Sequence, residues 1–174
     1  SPPHFYALAG KLSYWLLVPA VVLLAIGTFG GLILAPPDYQ QGDAFRIIYV
    51  HVPSAYLSMM IYVTMATAGA IGLVWHIKLA HAVAASCAPI GASFTFAALL
   101  TGAVWGKPMW GTYWEWQDAR LTTTAILFFL VLGYLAVRRR PLDRDRRSRL
   151  AAVVGLLLAP ATIVCHYATT WWRT

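Results

Sequence analysis

Residues 12–35 read LSYWLLVPAVVLLAIGTFGGLILA, a stretch without a charged side chain. This stretch is longer than the roughly 20 apolar residues that a helix needs to cross a bilayer. Four further apolar runs follow, at residues 46–75, 80–104, 121–137 and 150–165. Backbone groups in lipid must be hydrogen-bonded within their own segment, and the runs lack the alternation of strands. The sequence therefore predicts an all-α fold, a polytopic transmembrane helix bundle with about five spans.

The composition indicates one integral membrane domain over residues 1–174. The chain is 60% hydrophobic and only 11% charged, whereas soluble domains have about 25% charged residues. The five runs leave no room for a separate soluble domain. The formal net charge of +7 would also suit nucleic acid, but basic residues outside apolar segments more often set membrane topology. The expected environment is the lipid bilayer, and no nucleic-acid partner is expected.

Basic residues predict the orientation of the chain. Seven arginines lie in the arginine-rich loop, residues 138–149, and short basic loops are retained in the cytoplasm. Counting spans from this loop places the N-terminus on the cytoplasmic side. The linker that contains Lys78, between the second and third apolar runs, lies on the same side. The tryptophan-rich loop, residues 105–120, then faces outward, and all of the net charge lies inside. The N-terminus shows no cleavable signal pattern, so the first span is expected to direct insertion.

The two cysteines predict neither a haem attachment site nor a disulfide. The chain contains no Cys-x-x-Cys-His sequence, so it is not expected to be a c-type cytochrome itself. In the predicted topology Cys87 and Cys165 lie near opposite membrane faces, much farther apart than the ~6 Å between Cα atoms that a disulfide requires. Both cysteines are therefore interpreted as packing residues.

Two histidines are predicted to reach the outer level of the membrane. His51 lies near the start of the second apolar run, and His166 follows the fifth run. Neutral imidazoles from two helices of a bundle can both bind one haem iron. By contrast His4, His76 and His81 are interpreted as polar residues at helix ends.

The tryptophan-rich loop adds a flat apolar surface and charges at the same level. It contains four tryptophans, namely Trp105, Trp110, Trp114 and Trp116. A porphyrin could stack on these rings, while Arg120 binds a propionate and Asp118 orients Arg120 or the loop backbone. Tryptophans also form belts at membrane interfaces, and Asp118 and Arg120 could simply pair with each other. From spacing alone, haem binding and a structural aromatic loop are about equally supported.

Three motifs together resemble the CcmC family of the bacterial cytochrome c maturation system, within the haem-handling group named for its tryptophan-rich WWD segment. The motifs are IYVHVP at 48–53, WGKPMWGTYWEWQDARLT at 105–122, and His166 followed by Trp171 and Trp172. The likeness runs nearly end to end. The sequence departs from the family pattern at Gln117, which separates Trp116 from Asp118, and it stops at Thr174, where the family has a sixth span. Either the chain is truncated or the sixth helix is dispensable here.

The resemblance implies a site and a task. His51 and His166 would be the axial ligands of haem b, on an outer platform formed by Trp110, Trp114, Trp116 and Asp118, with Arg120 beside it. The family has no catalytic residue in this site, and the protein would work without its own ATPase rather than as an enzyme. It would deliver haem to the chaperone CcmE, together with CcmD, CcmA and CcmB. The implied location is the bacterial cytoplasmic (inner) membrane, with the haem site on the periplasmic side.

Two other classes of function remain open. A b-type membrane cytochrome would move electrons to or from quinone, but it would usually need a second histidine pair toward the inner face. A channel or transporter would need polar groups along the spans, which contain almost no charge.

Overall fold

The computed structural model describes residues 2–171, so Trp172 of the predicted motif lies outside the described residues. The α-helices are α1 (Pro2–Phe29), α2 (Ile48–Val74), α3 (Lys78–Trp110), α4 (Ala119–Arg138), α5 (Arg144–Leu156) and α6 (Leu158–Trp171). A π-helical turn (Gly30–Leu34) extends α1, and a 3₁₀ turn (Asp43–Ile47) precedes α2. Across residues 2–171 there is no β-strand, only an isolated bridge between Asp38 and Gly42.

Five helical segments in this part of the chain are long and apolar enough to cross a membrane. They are Pro3–Leu34, Asp43–Val74, Lys78–Trp110, Ala119–Arg138 and Arg144–Ala168. Each segment covers one of the five apolar runs to within one residue, so the predicted all-α bundle with five spans is confirmed. The chain forms two compact units, residues 1–50 and residues 51–174.

In the first unit the backbone turns sharply after the π-helical turn. The Asp38 carboxylate accepts hydrogen bonds from the backbone N–H groups of Gln40 and Gln41, both at 2.9 Å. Glycine is required at position 31, because a Cβ there would lie 2.6 Å from the Cβ and Cγ atoms of Tyr49. These contacts bring the turn back to the start of α2.

The second unit is packed through small side chains. Buried residues of α3 recur every three or four positions, at Ala80, Ala84, Ala88, Gly91, Ala92, Thr95, Ala98, Gly102 and Gly106. Small residues let membrane helices approach closely. At one such approach the Tyr62 hydroxyl of α2 donates to the Gly91 carbonyl at 3.1 Å and also bonds the Thr95 hydroxyl. Helix α4 packs against α3, α5 and α6. Both cysteines are free and half-buried beside this core.

The fifth span consists of two helices because of a proline. Pro160 has no N–H to donate to the Leu156 carbonyl, so the regular helical ladder is interrupted there. Helix α5 ends at Leu156, and α6 begins at Leu158. Proline is tolerated in the first turn of a helix, where its missing N–H is not needed.

In the structure, helices extend into both of the loops that were predicted from the sequence. Helix α3 continues through Trp110 and ends where Gly111 adopts a left-handed conformation with φ 79°, so residues 105–110 are helical. Helix α5 begins at Arg144, where the Asp143 carboxylate caps the Arg146 N–H at 2.8 Å. The charge pattern therefore did not show which residues of the two predicted loops belong to helices.

Candidate functional site

A cavity of about 270 Å³ lies among α2, α3, α4 and α6 in the second unit. We call it the histidine cavity. It is lined by His51, Ala55, Met59, Ala98, Leu99, Gly102, Trp105, Trp110, Asp118, Arg120, Leu121, Thr124, Cys165 and His166. Five residues predicted for the site therefore line one space, namely His51, Trp110, Asp118, Arg120 and His166. The structure brings both histidines to the same cavity from different helices.

His51 is held in place by α3. Its Nδ1 atom lies 3.0 Å from the Thr101 hydroxyl oxygen, and its ring meets Trp105 edge to face at 5.7 Å between centroids. A Cβ atom at Gly102 would lie 3.0 Å from the His51 Cε1 atom. The absence of a side chain at position 102 thus leaves space for the imidazole.

The hydrogen bonds of Thr101 favour one tautomer of His51. The Thr101 hydroxyl lies 2.6 Å from the Ala97 carbonyl, to which it can donate. A hydroxyl has a single proton, so one that donates to the carbonyl accepts from the imidazole. In that arrangement His51 carries its proton on Nδ1, and the lone pair of Nε2 is available to bind a metal.

His166 is held more loosely. It lies exposed near the end of α6, where its ring meets Tyr167 edge to face at 4.9 Å. Tyr167 in turn stacks on Trp171 at 5.4 Å between centroids. Directly before His166, the Cys165 thiol lies 3.4 Å from the Thr124 hydroxyl and connects α6 to α4. The two histidines thus differ in how firmly the fold positions them.

Arg120 and Asp118 place a positive charge at the edge of the cavity. The Asp118 carboxylate accepts from the backbone N–H groups of Arg120 and Leu121 at 2.8 and 3.1 Å, which caps α4. Its second oxygen pairs with the Arg120 guanidinium at 3.0 Å. The guanidinium also lies over the Trp110 ring, 5.7 Å from its centroid. Asp118 therefore pairs with Arg120 and caps α4, and its role at the site stays a prediction.

The environment of Asp118 shifts its acidity. Burial alone would raise the pKa of the Asp118 carboxyl, but hydrogen bonds from Arg120 and Leu121 and the Arg120 charge outweigh burial and lower it. A carboxyl with a lowered pKa stabilises the fold above its unfolded pKa of about 3.9, and this contribution is lost as the pH falls through the folded value.

Asp118→Ala is expected to destabilise the protein by about 1 kcal/mol near neutral pH, mostly through the lost helix cap. The exposed pair with Arg120 adds little. Asp118→Asn keeps an oxygen for the cap and should cost less. Thermal unfolding in detergent tests both variants, and the deficit of Asp118→Ala should shrink as the pH falls below about 4.

The matched control is Asp43→Ala. Asp43 pairs with Arg46 at 3.4 Å, but it is 79% exposed and does not cap a helix. Its loss should change stability by less than about 0.5 kcal/mol. Equal losses in Asp43→Ala and Asp118→Ala would contradict the role of the cap.

Two of the predicted platform tryptophans lie elsewhere. Trp114 and Trp116 are not among the lining residues of the histidine cavity. Their rings pack edge to face with each other, at 5.3 Å between ring centroids. The Trp116 side chain is 71% exposed. The Trp114 Nε1 atom is buried without a hydrogen-bond partner. Lys107 donates to the Gly111 carbonyl at 2.9 Å and does not line the cavity.

Several lining or supporting residues were not predicted for the site. Trp105 was counted among the rings of the tryptophan-rich loop but not among the platform residues that the resemblance implied, and it contacts His51 directly. Thr101 and Gly102 lie one helical turn earlier, and their polar and small side chains are ordinary in membrane helices. Met59 follows His51 by two helical turns on the same face of α2, a spacing that could have identified it.

Comparisons with known proteins agree on one family. The family model described as "Heme exporter protein C" matches residues 1–174. The chain is 48% identical to "Heme exporter protein C" of Escherichia coli strain K12 over 173 residues, which is 99% of this chain and 70% of the relative. It is 48% identical to the protein of the same description from Bradyrhizobium diazoefficiens over 174 residues, 100% of this chain and 65% of the relative. For that of Paracoccus denitrificans the identity is 36% over 173 residues, covering 99% and 71%.

The family model covers the whole chain, and the relatives are well above 30% identical over nearly all of it. The resemblance inferred from the histidine and tryptophan motifs is thereby confirmed. This chain belongs to the CcmC family, heme exporter protein C.

Proposed function

We propose that this chain binds haem b in the histidine cavity and presents it to the chaperone CcmE during biogenesis of c-type cytochromes. The observation that carries the proposal is the meeting of His51 and His166, from α2 and α6, in one cavity with Arg120. The family description, which names haem as the exported molecule, supports it. The protein would act by positioning its cargo, so we propose a binding and handover role rather than an enzymatic one.

The residues present fit haem. Two imidazoles supply a donor set that haem iron accepts, and Nε2 of His51 is free to coordinate because Thr101 holds the other nitrogen. Arg120 would bind a propionate, while Trp105 and Trp110 offer apolar surface for the porphyrin. Trp114 and Trp116 would take part only from outside the cavity, through the loop they help to form.

The size of the cavity supports a partly exposed cargo. Its 270 Å³ lies just below the ~300 Å³ lower end of ordinary ligand pockets. A neighbouring apolar groove of about 460 Å³ shares Met59 and His166 with it. A planar cargo that occupies both spaces would leave one edge accessible, which suits a protein that must release what it binds.

The unequal support of the two histidines favours a direction of handover. His51 is anchored by Thr101 and flanked by Trp105, whereas His166 is exposed near the end of α6. An exposed ligand exchanges more easily than a half-buried, hydrogen-bonded one. We propose that an incoming ligand from the chaperone replaces His166 while His51 still holds the haem.

The proposed orientation places this site outside. Helix α3 runs from Lys78 to Trp110, about 50 Å at 1.5 Å per residue. The histidine cavity lies near its C-terminal end, and the arginines of residues 138–149 lie near its N-terminal end. With the arginines inside, the N-terminus is cytoplasmic and the cavity faces the periplasm of a bacterial inner membrane. CcmD, CcmA and CcmB are the further partners we propose from the family resemblance.

The test is the absorption spectrum of the purified chain after incubation with haemin, followed by mixing with haem-free CcmE. We expect a low-spin spectrum of bis-histidine type, and its transfer to CcmE after separation of the two proteins. The b-type cytochrome would be favoured if the bound haem were reduced reversibly by quinol and did not move to CcmE. A wild type that binds no haem would overturn the proposal.

A large side chain at position 102 should impair haem binding without unfolding the protein. Because an added Cβ would already lie 3.0 Å from the His51 ring, Gly102→Leu is expected to displace the imidazole. We expect the haem affinity to fall by about tenfold or more, by comparison with the effect of disturbing residues that orient metal ligands. Haem titration monitored by absorbance measures this change.

Gly133→Leu on α4 is the matched control, since a Cβ added there meets nothing within 4 Å. Both variants replace a helical glycine by leucine, so both raise the helix propensity equally. Gly133→Leu should bind haem like wild type. If Gly102→Leu also binds haem like wild type, His51 is not positioned by the open space at Gly102.

A further inference from the structure

A second cavity, of about 130 Å³, lies near the opposite end of α3 from the histidine cavity. We call it the arginine cavity. It is lined by Gly72, Leu73, His76, Lys78, His81, Ala82, Arg138, Arg144, Asp145, Ser148 and Arg149. A single water needs only about 10–15 Å³ of such space, so the cavity has room for a larger group. Its walls come from four helix ends that the chain brings together from two separate loops.

The turn between α2 and α3 forms one edge of the arginine cavity. His76 has a positive φ of 56°, a conformation that few residues other than glycine adopt. This turn allows α3 to begin at Lys78, four residues after α2 ends. His81 forms the wall behind it, and a Cβ at Gly72 would lie 2.6 Å from Cε1 of its ring.

The cavity concentrates positive charge that its one lining carboxylate does not balance. Four of its lining residues are cationic, namely Lys78, Arg138, Arg144 and Arg149, against the one carboxylate of Asp145. Within residues 2–171 the ion pairs join Arg46 to Asp43 and Arg120 to Asp118, so none involves these four cations. Arg138 donates to the Ser148 hydroxyl at 3.1 Å. Like charges held around one space repel each other, and a bound anion would relieve that repulsion.

Membrane topology alone does not explain this arrangement. Retention of a loop in the cytoplasm depends on how many basic residues it carries, and not on where their side chains converge. Arg139, Arg140 and Arg146 serve retention equally well without lining the cavity. Lys78, by contrast, comes from a different loop and meets the arginines there.

We propose that the arginine cavity binds the phosphate of an anionic phospholipid. The helix ends that form it lie where the apolar segments stop, at Val74, Lys78, Arg138 and Arg144, which is the level of lipid headgroups. Basic pockets between helix ends on the cytoplasmic side are suited to such headgroups. Gly72, Leu73 and Ala82 add an apolar wall for the lipid backbone. Free phosphate shares the charge chemistry, but it would make no use of that wall. The inference does not depend on haem binding.

Native mass spectrometry of the full chain, stripped of lipid in detergent, tests the proposal. Dioleoylphosphatidylglycerol and dioleoylphosphatidylcholine are titrated separately, because they share their acyl chains and differ in headgroup charge. We expect the wild type to bind the anionic lipid about tenfold more tightly, and Lys78→Gln/Arg144→Gln/Arg149→Gln to lose that preference. The single variant Arg149→Gln should lose part of it.

The matched control is Arg139→Gln/Arg140→Gln/Arg146→Gln, which removes three charges from exposed arginines that do not line the cavity. It should keep the lipid preference within about twofold, since the charges that contact the headgroup remain. An equal loss in both triple variants would show general surface attraction and overturn the proposal. So would displacement of the lipid by an equimolar amount of inorganic phosphate, because the apolar part of the lipid would then add nothing to binding.

Discussion

The double variant His51→Ala/His166→Ala is expected to lose the low-spin haem spectrum. Both imidazoles line the histidine cavity, and alanine offers no ligand to the iron. Disturbing a residue that only supports a metal ligand costs about 10–100-fold in affinity, so the loss of both ligands should exceed about 100-fold. Absorbance titration with haemin and the haem content after gel filtration measure the effect.

The single variants should differ from each other. His51→Ala removes the ligand that Thr101 and Trp105 hold in position, and we expect it to lose most of the bound haem. His166→Ala removes the exposed ligand, and we expect it to keep haem with one histidine ligand and a high-spin spectrum. Transfer to CcmE from His166→Ala should be at least as fast as from wild type, because no ligand has to be displaced on that side.

His76→Ala is the control for these variants, since His76 lines the arginine cavity near the other end of α3. It should bind haem like wild type. Equal haem content in the two single variants would contradict the proposed order of handover. Full haem content in the double variant would show that the histidine cavity is not the haem site.

The membrane spans could be predicted from the sequence because their cause is simple. A helix in lipid must be apolar over a fixed length, and uninterrupted runs of apolar residues have no other common explanation. The ends of the spans were less accurate. Trp105 and Lys107 resemble loop residues by composition, yet they belong to α3, which continues until Gly111 ends it. The side of the membrane on which each end lies stays a prediction from charge.

The candidate site was predicted in part. His51, His166, Arg120 and Asp118 were identified by motif, and the fold brings them to one cavity. The edge-to-face contact between Trp114 and Trp116 was not predicted. Tryptophans of one short loop can face the cargo or their neighbours, and the sequence does not distinguish these cases. Thr101 was not identified for a similar reason. Threonine often bonds a carbonyl of its own helix, so its contact with another helix is visible only in the structure.

Thr101→Val is expected to weaken haem binding by about 10–100-fold, the usual cost of removing the partner that orients a metal-binding histidine. Valine has nearly the shape of threonine but cannot accept the bond from Nδ1 of His51, which measures 3.0 Å in the wild type. The imidazole would then be free to rotate or to move its proton to Nε2, the nitrogen that must coordinate. Haem titration gives the affinity, and the ratio of low-spin to high-spin bands reports how well His51 coordinates.

Thr101→Ser separates the hydroxyl from the methyl group. Serine can donate to the Ala97 carbonyl and accept from His51 as threonine does, so this variant should keep the wild-type spectrum and an affinity within about threefold. If Thr101→Ser loses as much affinity as Thr101→Val, then packing of the methyl group positions His51, and the hydrogen bond does not. If neither variant loses affinity, the imidazole is held by Trp105 and by the space at Gly102 alone.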